Sequence, residues 1–385
     1  MNIALWSHSS SYVHLSKKFI DQGNFVDLYY DIPTKFKQKP MFFMSIAAPW
    51  GITSRESYNL HKLLTDTNTP HFFVNHKGAQ YESNKFLTKN MCKEIGIPTA
   101  SGVLITGKEL KSNFNTYTKP FVIKLNIYQY GRQTIIVDSV NSDDVYQSLF
   151  GSGIFAITKE YSAVIEEYVE LKSEYSYHAL FNKTNWQFFG AARDYKKFND
   201  GDAGPNSMSS GAYSTQDVHQ IVHEYADKIY NYFKTYNLRY RGFIFLGIGV
   251  RKDGVPILLE INTRSGDPEL QVMVECIDNN IAELFFNASS DFRIPEIKFN
   301  GKQAVTVSLI NKNYNWKINT LDVPNLKNVP NDIIYSMDYP SGYLKYGALT
   351  AVGNTRKEAS DRIYKYLNTQ YTGQYRYRND IGILE

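Results

Sequence analysis

The stretch LLEINTRSGDPE, residues 258–269, passes from an apolar strand pattern into polar, turn-forming residues. Side chains alternate along a strand, so Glu260 and Asn262 point to the same face near the strand's end. A carboxylate and an amide oxygen side by side are hard ligands suited to Mg²⁺ that carries a nucleotide. Arg264 lies on that face if the strand continues, where its guanidinium could hold a carboxylate or phosphate by two hydrogen bonds. An ordinary ion pair between Glu260 and Arg264 at a sheet edge explains the same residues equally well.

The residues on either side of this stretch predict further regular structure. Residues 242–251 and 255–261 have the pattern of two strands, and Lys252-Asp253-Gly254 between them has the residue types of a hairpin turn. Helices are predicted over residues 215–236 and 278–286. The sequence therefore predicts a mixed α/β region around Glu260.

The N-terminal part predicts a strand, a helix and a second strand. Residues 2–6 are apolar, residues 13–20 have helical spacing, and residues 24–30 again form a strand pattern. This order predicts a parallel sheet, to which residues 41–47 and 71–74 could add strands. Beyond residue 98 strands dominate, and the predicted ones are 121–125, 134–137, 163–167, 174–181 and 187–192. The tail from about residue 299 mixes strands with one helix at 356–367.

Two polar segments are candidate binding sites. In ARDYKKFNDGDAGPN, residues 192–206, two lysines precede a loop where they could neutralise a polyphosphate and where glycine N–H groups could face a ligand. By composition alone, a solvated surface turn is the commoner explanation. In VIEEYVE, residues 164–170, a strand runs into an acidic hinge that could offer backbone groups to a nucleobase and, at Glu174, a carboxylate to ribose. A strand with exposed acids is again the commoner case.

Composition excludes several classes of protein. The 385 residues are too many for one compact core and indicate two to four subdomains. The 42 Lys and Arg against 38 Asp and Glu give a net charge of +4, and the lack of a basic stripe argues against nucleic-acid binding. Neither a signal peptide nor an apolar run of about 18 residues is present, so no membrane association is expected. Cys92 and Cys276 are far apart in sequence, so we expect packed thiols in a reducing, cytoplasmic compartment.

Taken in order, these segments resemble the phosphoribosylamine–glycine ligase family of the ATP-grasp superfamily. DYKKFNDGDAGPNSMSSGAYS (194–214) is similar to the family's D-H-K-R…D-G-D-x-G-P-N-T-G-G-M-G-A-Y-S signature, and EINTRSGDPELQ (260–271) to its E-F-N-x-R-F-G-D-P-E-x-Q. ESNKFLTKNMCKEIGIPTA (82–100) resembles the family's E-G-S-K-x-F-x-K…I-P-T-A approach to the ATP-grasp module. YPSGYLKYG (339–347) and YRYRNDIG (375–382) resemble its closing subdomain. The resemblance covers the chain from about residue 70 to the C-terminus.

The resemblance implies roles for individual residues. It implies that ATP is held through Lys124, Gly131, Arg132, Glu167, Val169, Glu174 and Lys197, with adenine on the backbone of Glu167 and Val169 and ribose on Glu174. It implies that Mg²⁺, or Mn²⁺, is carried by Glu260 and Asn262. The implied catalytic residues, near phosphate and the two substrates, are Lys196, Asp202, Asn206 and Arg264.

The implied activity is amide formation driven by ATP. The γ-phosphoryl group would pass to the carboxylate of glycine or another small amino acid, and an amine would then attack the acyl phosphate. The partners would be small-molecule amino acid and amine substrates, bound by a monomer or homodimer. Two other classes stay open: an ATP-grasp ligase that modifies a peptide or a nucleic-acid-derived amine, and a non-catalytic nucleotide-binding relative.

Two segments depart from the family's pattern. Where the family has a G-x-G-G-R-E-H loop that cradles the phosphate of phosphoribosylamine, residues 7–14 are SHSSSYVH. A serine-rich helix start can bind an anion only weakly, so we expect a modified relative of phosphoribosylamine as the acceptor. The family's glycine-rich A-G-K-G lid turn is replaced by YQYGRQ, residues 128–133, in which Gly131 and Arg132 could serve instead.

The resemblance also implies an ATP-grasp fold of class α/β with α+β elements. Its expected domains are a Rossmann-like domain at residues 1–98, a central ATP-grasp domain at 99–119 and 190–297, a β-rich lid at 120–189 and a small β-rich C-terminal domain at 298–385.

Overall fold

The secondary structure mixes strands and helices along the whole chain. The computed structural model describes residues 1–6, 9–45, 54–126, 134–151, 162–207, 209–312, 326–337, 345–370, 373 and 375–383, with the backbone alone for 54–57, 205 and 206. The strands are β1 (Asn2–Trp6), β2 (Phe25–Tyr29), β3 (Phe42–Ser45), β4 (His71–Phe72), β5 (Gly102–Thr106), β6 (Phe121–Leu125), β7 (Thr134–Val137), β8 (Ser162–Glu167), β9 (Leu171–Phe181), β10 (Trp186–Asp194), β11 (Lys197–Asn199), β12 (Ala203–Asn206), β13 (Gly211–Thr215), β14 (Gly242–Arg251), β15 (Pro256–Asn262), β16 (Gln303–Asn311), β17 (Ile333–Met337), β18 (Lys345–Gly353) and β19 (Tyr375–Arg376). The helices are α1 (Ser10–Asp21), α2 (Ser54–Asp66), α3 (His76–Ser83), α4 (Lys85–Ile95), α5 (Gly107–Asn113), α6 (Ser142–Phe150), α7 (Gln220–Thr235), α8 (Glu269–Val274), α9 (Ile281–Ser289) and α10 (Arg356–Gln370).

These elements belong to two compact units. The first unit contains Met1–Asn75, Tyr175–Phe245 and Thr263–Glu385, and the second contains His76–Glu174 and Leu246–Asn262. The division into four domains expected from the sequence stays a prediction. The boundary after Asn262 falls inside the stretch 258–269, so each unit holds one part of the predicted site residues.

The first unit contains the predicted parallel sheet. Its strands lie in the order β2-β1-β3-β4, and all pairs are parallel, which confirms the βαβ start. A second sheet of this unit has the order β14-β9-β10-β13-β16-β18-β17, with β19 beside β16. The hairpin of β11 and β12 forms a separate two-stranded sheet. The unit is therefore mixed α/β, as the sequence predicts.

The second unit contains a four-stranded sheet and a strand pair. The sheet has the order β5-β8-β6-β7 with antiparallel pairing. The pair joins the end of β14 to β15 through the predicted Lys252-Asp253-Gly254 turn, where Arg251 N–H donates to the Val255 carbonyl at 3.0 Å. Gly254 has φ +86°, a conformation that glycine adopts without strain. The hairpin prediction is confirmed.

Some predicted elements have different bounds. The helix expected over residues 215–236 begins only at Gln220, because Thr215 pairs with Ala191 as the last residue of β13. The β-rich segment after residue 98 also contains helices α5 and α6. Helix α5 has a capping box in which Thr106 and Glu109 bond each other's backbone N–H groups, a start signal that the sequence does contain.

Aromatic side chains fill much of the interior. In the first unit, Phe72, Phe189, Phe243 and Phe285 form a cluster of ring contacts with centroids 5.2–5.9 Å apart, and this packing supports the sheet that carries the site segments. Both cysteines are buried thiols, as expected. Within the described residues, no helix has the length and apolarity needed to cross a membrane.

Candidate functional site

The carboxylate of Glu260 and the amide of Asn262 are neighbours at the end of β15 in the second unit. Asn262 Nδ2 donates to Glu260 Oε1 at 3.1 Å, so the two side chains share a face as the alternation predicts. The cation beside Glu260 in this unit is Lys85, whose Nζ lies 3.5 Å from Oε2. Because its Nδ2 faces Glu260, the Asn262 side chain leaves its carbonyl oxygen for another partner.

The sequence analysis missed Lys85, although this residue lies in the segment 82–100 that resembles the family. It is the first residue of α4, whose cap Asn84 accepts from Leu87 N–H at 3.0 Å. Its side chain is buried, and among the described residues its ammonium has no hydrogen-bond acceptor. A buried ammonium at 3.5 Å from a carboxylate is incompletely compensated, so this position favours an additional anion.

A second pair of lysines lies on Glu166 in the same unit. Lys124 Nζ and Lys89 Nζ are each 2.9 Å from one oxygen of the buried Glu166 carboxylate, and Lys124 also donates to the Leu259 carbonyl at 2.6 Å. Burial lowers the pKa of Lys89, although the Glu166 charge opposes the shift. Together with Lys85 and Glu260, this group has three ammonium groups against two carboxylates. We call these five residues the lysine cluster.

Lys89 and Glu166 were also missed. Lys85 and Lys89 are four residues apart and share one face of α4, a spacing that the sequence displays. Glu166 lies in β8 beside the more obvious Glu167, and the predicted strand should have shown that the two side chains point to opposite faces.

The residues expected to hold adenine and ribose lie around the end of β8. Glu167 N–H donates to the Ser101 carbonyl at 3.0 Å, and its carboxylate accepts from Ser101 N–H at 2.8 Å. Val169 follows the strand, and Glu174 is an exposed residue of β9. The backbone N–H of Glu167 is therefore engaged by the protein, and its predicted adenine contact depends on its remaining backbone groups. Gly131 and Arg132 lie outside the described residues.

In the first unit, the segment with the two lysines forms an ordered hairpin. Lys197 in β11 pairs with Asn206 in β12, while Lys196 is exposed just before the hairpin. Ser207 N–H donates to the Lys196 carbonyl at 2.6 Å, and Ser210 Oγ donates to the Lys197 carbonyl at 2.8 Å. The carboxylate of Asp202 accepts from Arg378 at 2.7 Å. The segment is therefore an ordered hairpin held by hydrogen bonds, and not the solvated surface turn that its composition suggested. Of Asn206, only the backbone is described.

The residues after β15 form a dense polar set in the first unit. Arg264 donates to the Ser265 carbonyl at 3.1 Å, and Gly266 N–H donates to Nε2 of the buried His178 at 3.0 Å. Asp267 accepts from Lys345 at 2.9 Å. Burial, followed by the charge of Asp194, raises the pKa of Glu269 to about 8, so this buried carboxyl is protonated near neutral pH.

The start of α1 is the place of the family's phosphate loop. Ser9 precedes the helix, its hydroxyl lies 2.8 Å from that of Ser11, and Ser10 Oγ lies 3.5 Å from an Asp267 oxygen. Ser7 and His8 lie outside the described residues. The expected weak anion binding here stays a prediction.

Comparisons with known proteins show which family the chain is similar to. Residues 83–270 match the family model of the phosphoribosylglycinamide synthetase ATP-grasp (A) domain. The chain is 27% identical over 328 residues to phosphoribosylamine–glycine ligase of Brucella melitensis, covering 79% of this chain and 75% of that protein. It is 32% identical over 201 residues to the same enzyme of Thermotoga maritima, covering 51% and 50%.

Solved structures show the same fold. The crystal structure of phosphoribosylamine–glycine ligase from Thermotoga maritima has a TM-score of 0.78 and 22% identity, over 99% of this chain and 100% of that one. Carboxyaminoimidazole ribonucleotide synthase of Aspergillus clavatus, complexed with ATP, has a TM-score of 0.64 and 14% identity, over 95% and 97%. The expected ATP-grasp fold is confirmed.

Proposed function

We propose that the chain is a member of the phosphoribosylamine–glycine ligase family of ATP-grasp proteins and an ATP-dependent carboxylate–amine ligase. It joins glycine, or another small amino acid, to an amine with consumption of ATP. The acceptor is phosphoribosylamine or a modified relative of it. The reaction requires small-molecule partners only and fits a cytoplasmic enzyme of purine biosynthesis.

The lysine cluster is the observation that carries this proposal. The cluster contains three ammonium groups, two of them on the buried Lys85 and Lys124 and one on the partly buried Lys89, and two carboxylates, those of Glu166 and Glu260. A triphosphate supplies the missing negative charge, and the incompletely compensated Lys85 ammonium is the place where that charge is needed most. A cluster with balanced charges would have no such demand.

The ends of the Glu260 and Asn262 side chains fit a divalent cation. One carboxylate and one amide oxygen are the hard donors that Mg²⁺ or Mn²⁺ takes from protein, with phosphate oxygens and water filling its other positions. When bound, the cation neutralises charge on the β- and γ-phosphates. Lys85 and Lys124 would add positive charge to the same phosphates, and Glu174 with the backbone of Glu167 and Val169 would hold the nucleoside.

The chemistry proceeds in two displacements. A carboxylate oxygen of the amino acid attacks the γ-phosphorus, the bond to the β-phosphate oxygen breaks, and ADP leaves an acyl phosphate. The amine nitrogen then attacks the acyl carbon, inorganic phosphate leaves, and the nitrogen gives up one proton. We assign Lys196, Lys197, Asn206 and Arg264 to holding phosphate and the two substrates. Most of the rate enhancement comes from their positioning and charge.

The amine acceptor is the part of the proposal where the sequence departs most from the family's pattern. Residues 7–14, SHSSSYVH, lack the glycines, the arginine and the glutamate of the family's phosphate loop. Serine hydroxyls at a helix start bind an anion less strongly than such a loop with its arginine. We therefore propose that the acceptor differs from phosphoribosylamine at or near its phosphate.

The test is ADP release from Mg·ATP with glycine, with and without freshly generated phosphoribosylamine, followed by mass spectrometry of the product. Turnover with glycine and an amine, and formation of the corresponding amide, is expected. Efficient turnover of phosphoribosylamine itself would refute the modified acceptor and keep the ligase. Failure of every amino acid and amine pair in a screen to release ADP would refute the ligase and favour a non-catalytic nucleotide-binding protein.

A further inference from the structure

The C-terminal residues 375–382 lie against the hairpin of β11 and β12 in the first unit. Arg378 is the centre of this contact, and only 1% of it is exposed although its guanidinium is permanently charged. A buried guanidinium is costly unless its donors are satisfied and its charge is paired. The groups around Arg378 therefore show what this part of the chain is built to hold.

The guanidinium bridges the tail and the hairpin. Within the tail, it makes a two-pronged contact with Asp380, from Nε at 2.7 Å and from Nη2 at 2.6 Å. Across to the hairpin, Nη1 donates to Asp202 Oδ1 at 2.7 Å and to the Lys197 carbonyl at 3.2 Å. Its Cζ also lies 4.8 Å from the ring centre of Tyr195. One side chain thus contacts the first residue of the hairpin and its tip.

Neighbouring residues repeat the bridge. Asp380 Oδ2 accepts from Gly201 N–H at 2.8 Å, while Asn379 donates from its backbone and its side chain to Asp200, at 2.9 and 3.1 Å. These contacts fix the hairpin tip, where Gly201 and Asp202 have φ of +68° and +53°. Side chains of the tail therefore replace the support that a longer sheet would give.

The hairpin needs such support. β11 and β12 pair with each other as a separate two-stranded sheet, and an isolated two-stranded hairpin is only marginally stable in water. Lys196 immediately precedes this hairpin and Lys197 is its first residue. Any looseness of the hairpin therefore moves the lysines that the proposed function uses.

We infer that residues 375–382 are a clamp that positions the hairpin for substrate binding, with Arg378 as its positioning residue. The inference rests on the proposed ligase function and refines it. The Asp202 carboxylate belongs to this clamp and acts through Arg378 instead of touching a substrate. The clamp acts mainly on the affinity for the amino acid and the amine, because ATP is held by the lysine cluster of the second unit in addition to Lys197.

Three variants of the full-length protein test the clamp. Arg378→Lys keeps the charge and loses the two-pronged geometry, and Asp202→Asn removes a charge from a side chain that is 68% exposed, so that folding is preserved. Arg241→Lys is the matched control, because Arg241 makes a comparable two-pronged contact with Asp291 in the same unit. Steady-state kinetics with glycine and the accepted amine, and hydrogen exchange of peptides covering 195–206 and 375–383, are measured for each.

We expect Arg378→Lys to raise the KM for the amino acid or the amine by about tenfold or more, because small displacements of positioned groups cost one to two orders of magnitude. The KM for ATP rises by a smaller factor, because Lys197 is only one of the groups that hold ATP. Asp202→Asn gives a smaller increase of the same kind. Exchange in both peptides becomes faster in these two variants, and Arg241→Lys changes neither quantity.

The inference is overturned if hydrogen exchange of both peptides is unchanged in Arg378→Lys. It is also overturned if exchange becomes faster while the KM for both substrates stays the same. A rise in the KM for ATP equal to that for the substrates would indicate a general loss of structure and would overturn it as well. If the wild-type protein has no ligase turnover, the proposed function fails and the positioning role fails with it. Hydrogen exchange then still decides whether the tail holds the hairpin.

Discussion

Each unit contains a buried glutamate that bridges two basic side chains, but their surroundings differ. In the second unit, Glu166 lies 2.9 Å from both Lys89 and Lys124. In the first unit, Glu275 lies 3.0 Å from His14 Nε2 and 3.0 Å from Lys18 Nζ. Lys89 shares helix α4 with Lys85, which pairs with a second carboxylate, that of Glu260. The His14 ring instead continues to a neutral group, the Ser336 hydroxyl, 3.4 Å from Nδ1.

The difference separates a binding cluster from a structural one. The lysine cluster has more ammonium groups than carboxylates, and the Lys85 ammonium has no hydrogen-bond acceptor among the described residues. The Glu275 set joins helix α1 to the residue that follows α8, and both of its basic side chains are hydrogen-bonded to the same carboxylate. Surplus charge in a buried site indicates a missing ligand, whereas a saturated set indicates stabilisation of the fold.

The largest effect is expected at Glu260. Glu260→Gln keeps the shape of the side chain and removes the charge that would hold the metal near the phosphates. We expect ADP formation to fall by about a hundredfold or more, the size of effect seen when one electrostatic group is removed from an active site. The measurement is kcat for ADP release at saturating Mg·ATP and substrates.

The control for this variant is Glu283→Gln, an exposed glutamate in the first turn of α9. Its kcat should equal that of the wild-type protein. If Glu260→Gln retains more than about a third of wild-type kcat, Glu260 has no metal-binding role. The lysine cluster would then not differ from the Glu275 set in function.

A smaller effect, on stability, is expected at Glu166. Glu166→Gln leaves Lys89 and Lys124 buried without their counter-charge, which costs about 3 kcal/mol of unfolding free energy when a buried ion pair loses one partner. Urea unfolding followed by circular dichroism measures the loss. Saturating Mg·ATP should recover part of it, since the phosphates supply negative charge.

Asp66→Asn is the comparison for this loss. Asp66 pairs with Lys62 at 2.7 Å, with both side chains more than half exposed, and solvent screens such exposed pairs so that they contribute little to stability. Equal losses in the two variants would show that burial does not distinguish the lysine cluster from a surface ion pair.

Local patterns in the sequence predicted much of the fold, and distant contacts were the part they could not predict. The parallel start and the hairpin around Lys252-Asp253-Gly254 depend on neighbouring residues, so alternation and turn chemistry were sufficient. The bridge between Arg378 and Asp202 joins residues 176 positions apart, and no local pattern connects them. The placement of Asp202 beside a substrate stays a prediction, and its contact with Arg378 was not foreseen.

The nucleotide site shows the same division. Glu260 and Asn262 were predicted as neighbours because they alternate on one strand, and the structure confirms that proximity. Lys85, Lys89 and Glu166 were missed because they converge from a helix and a strand that are far apart in sequence. The alternation that paired Glu260 with Asn262 also separates Glu166 from Glu167, but only the ion pair with Lys124 shows which of the two faces inward.

The smallest expected effect is the pH dependence of the Glu275 set. Although burial opposes it, the hydrogen bonds and charges of His14 and Lys18 lower the pKa of Glu275 from 4.5 to about 2. A carboxyl group with a lowered folded-state pKa stabilises the protein above the unfolded-state pKa, and this contribution is lost as the pH falls from about 4.5 toward about 2.

The difference in unfolding free energy between the wild-type protein and Glu275→Gln should therefore be constant from pH 7 to pH 5.5 and should shrink by about 1 kcal/mol at pH 4. Urea unfolding of both proteins across this range measures the difference. A difference that stays constant down to pH 4 would mean that His14 and Lys18 do not lower the pKa of Glu275, and the saturated set would then not be the source of stability in the first unit.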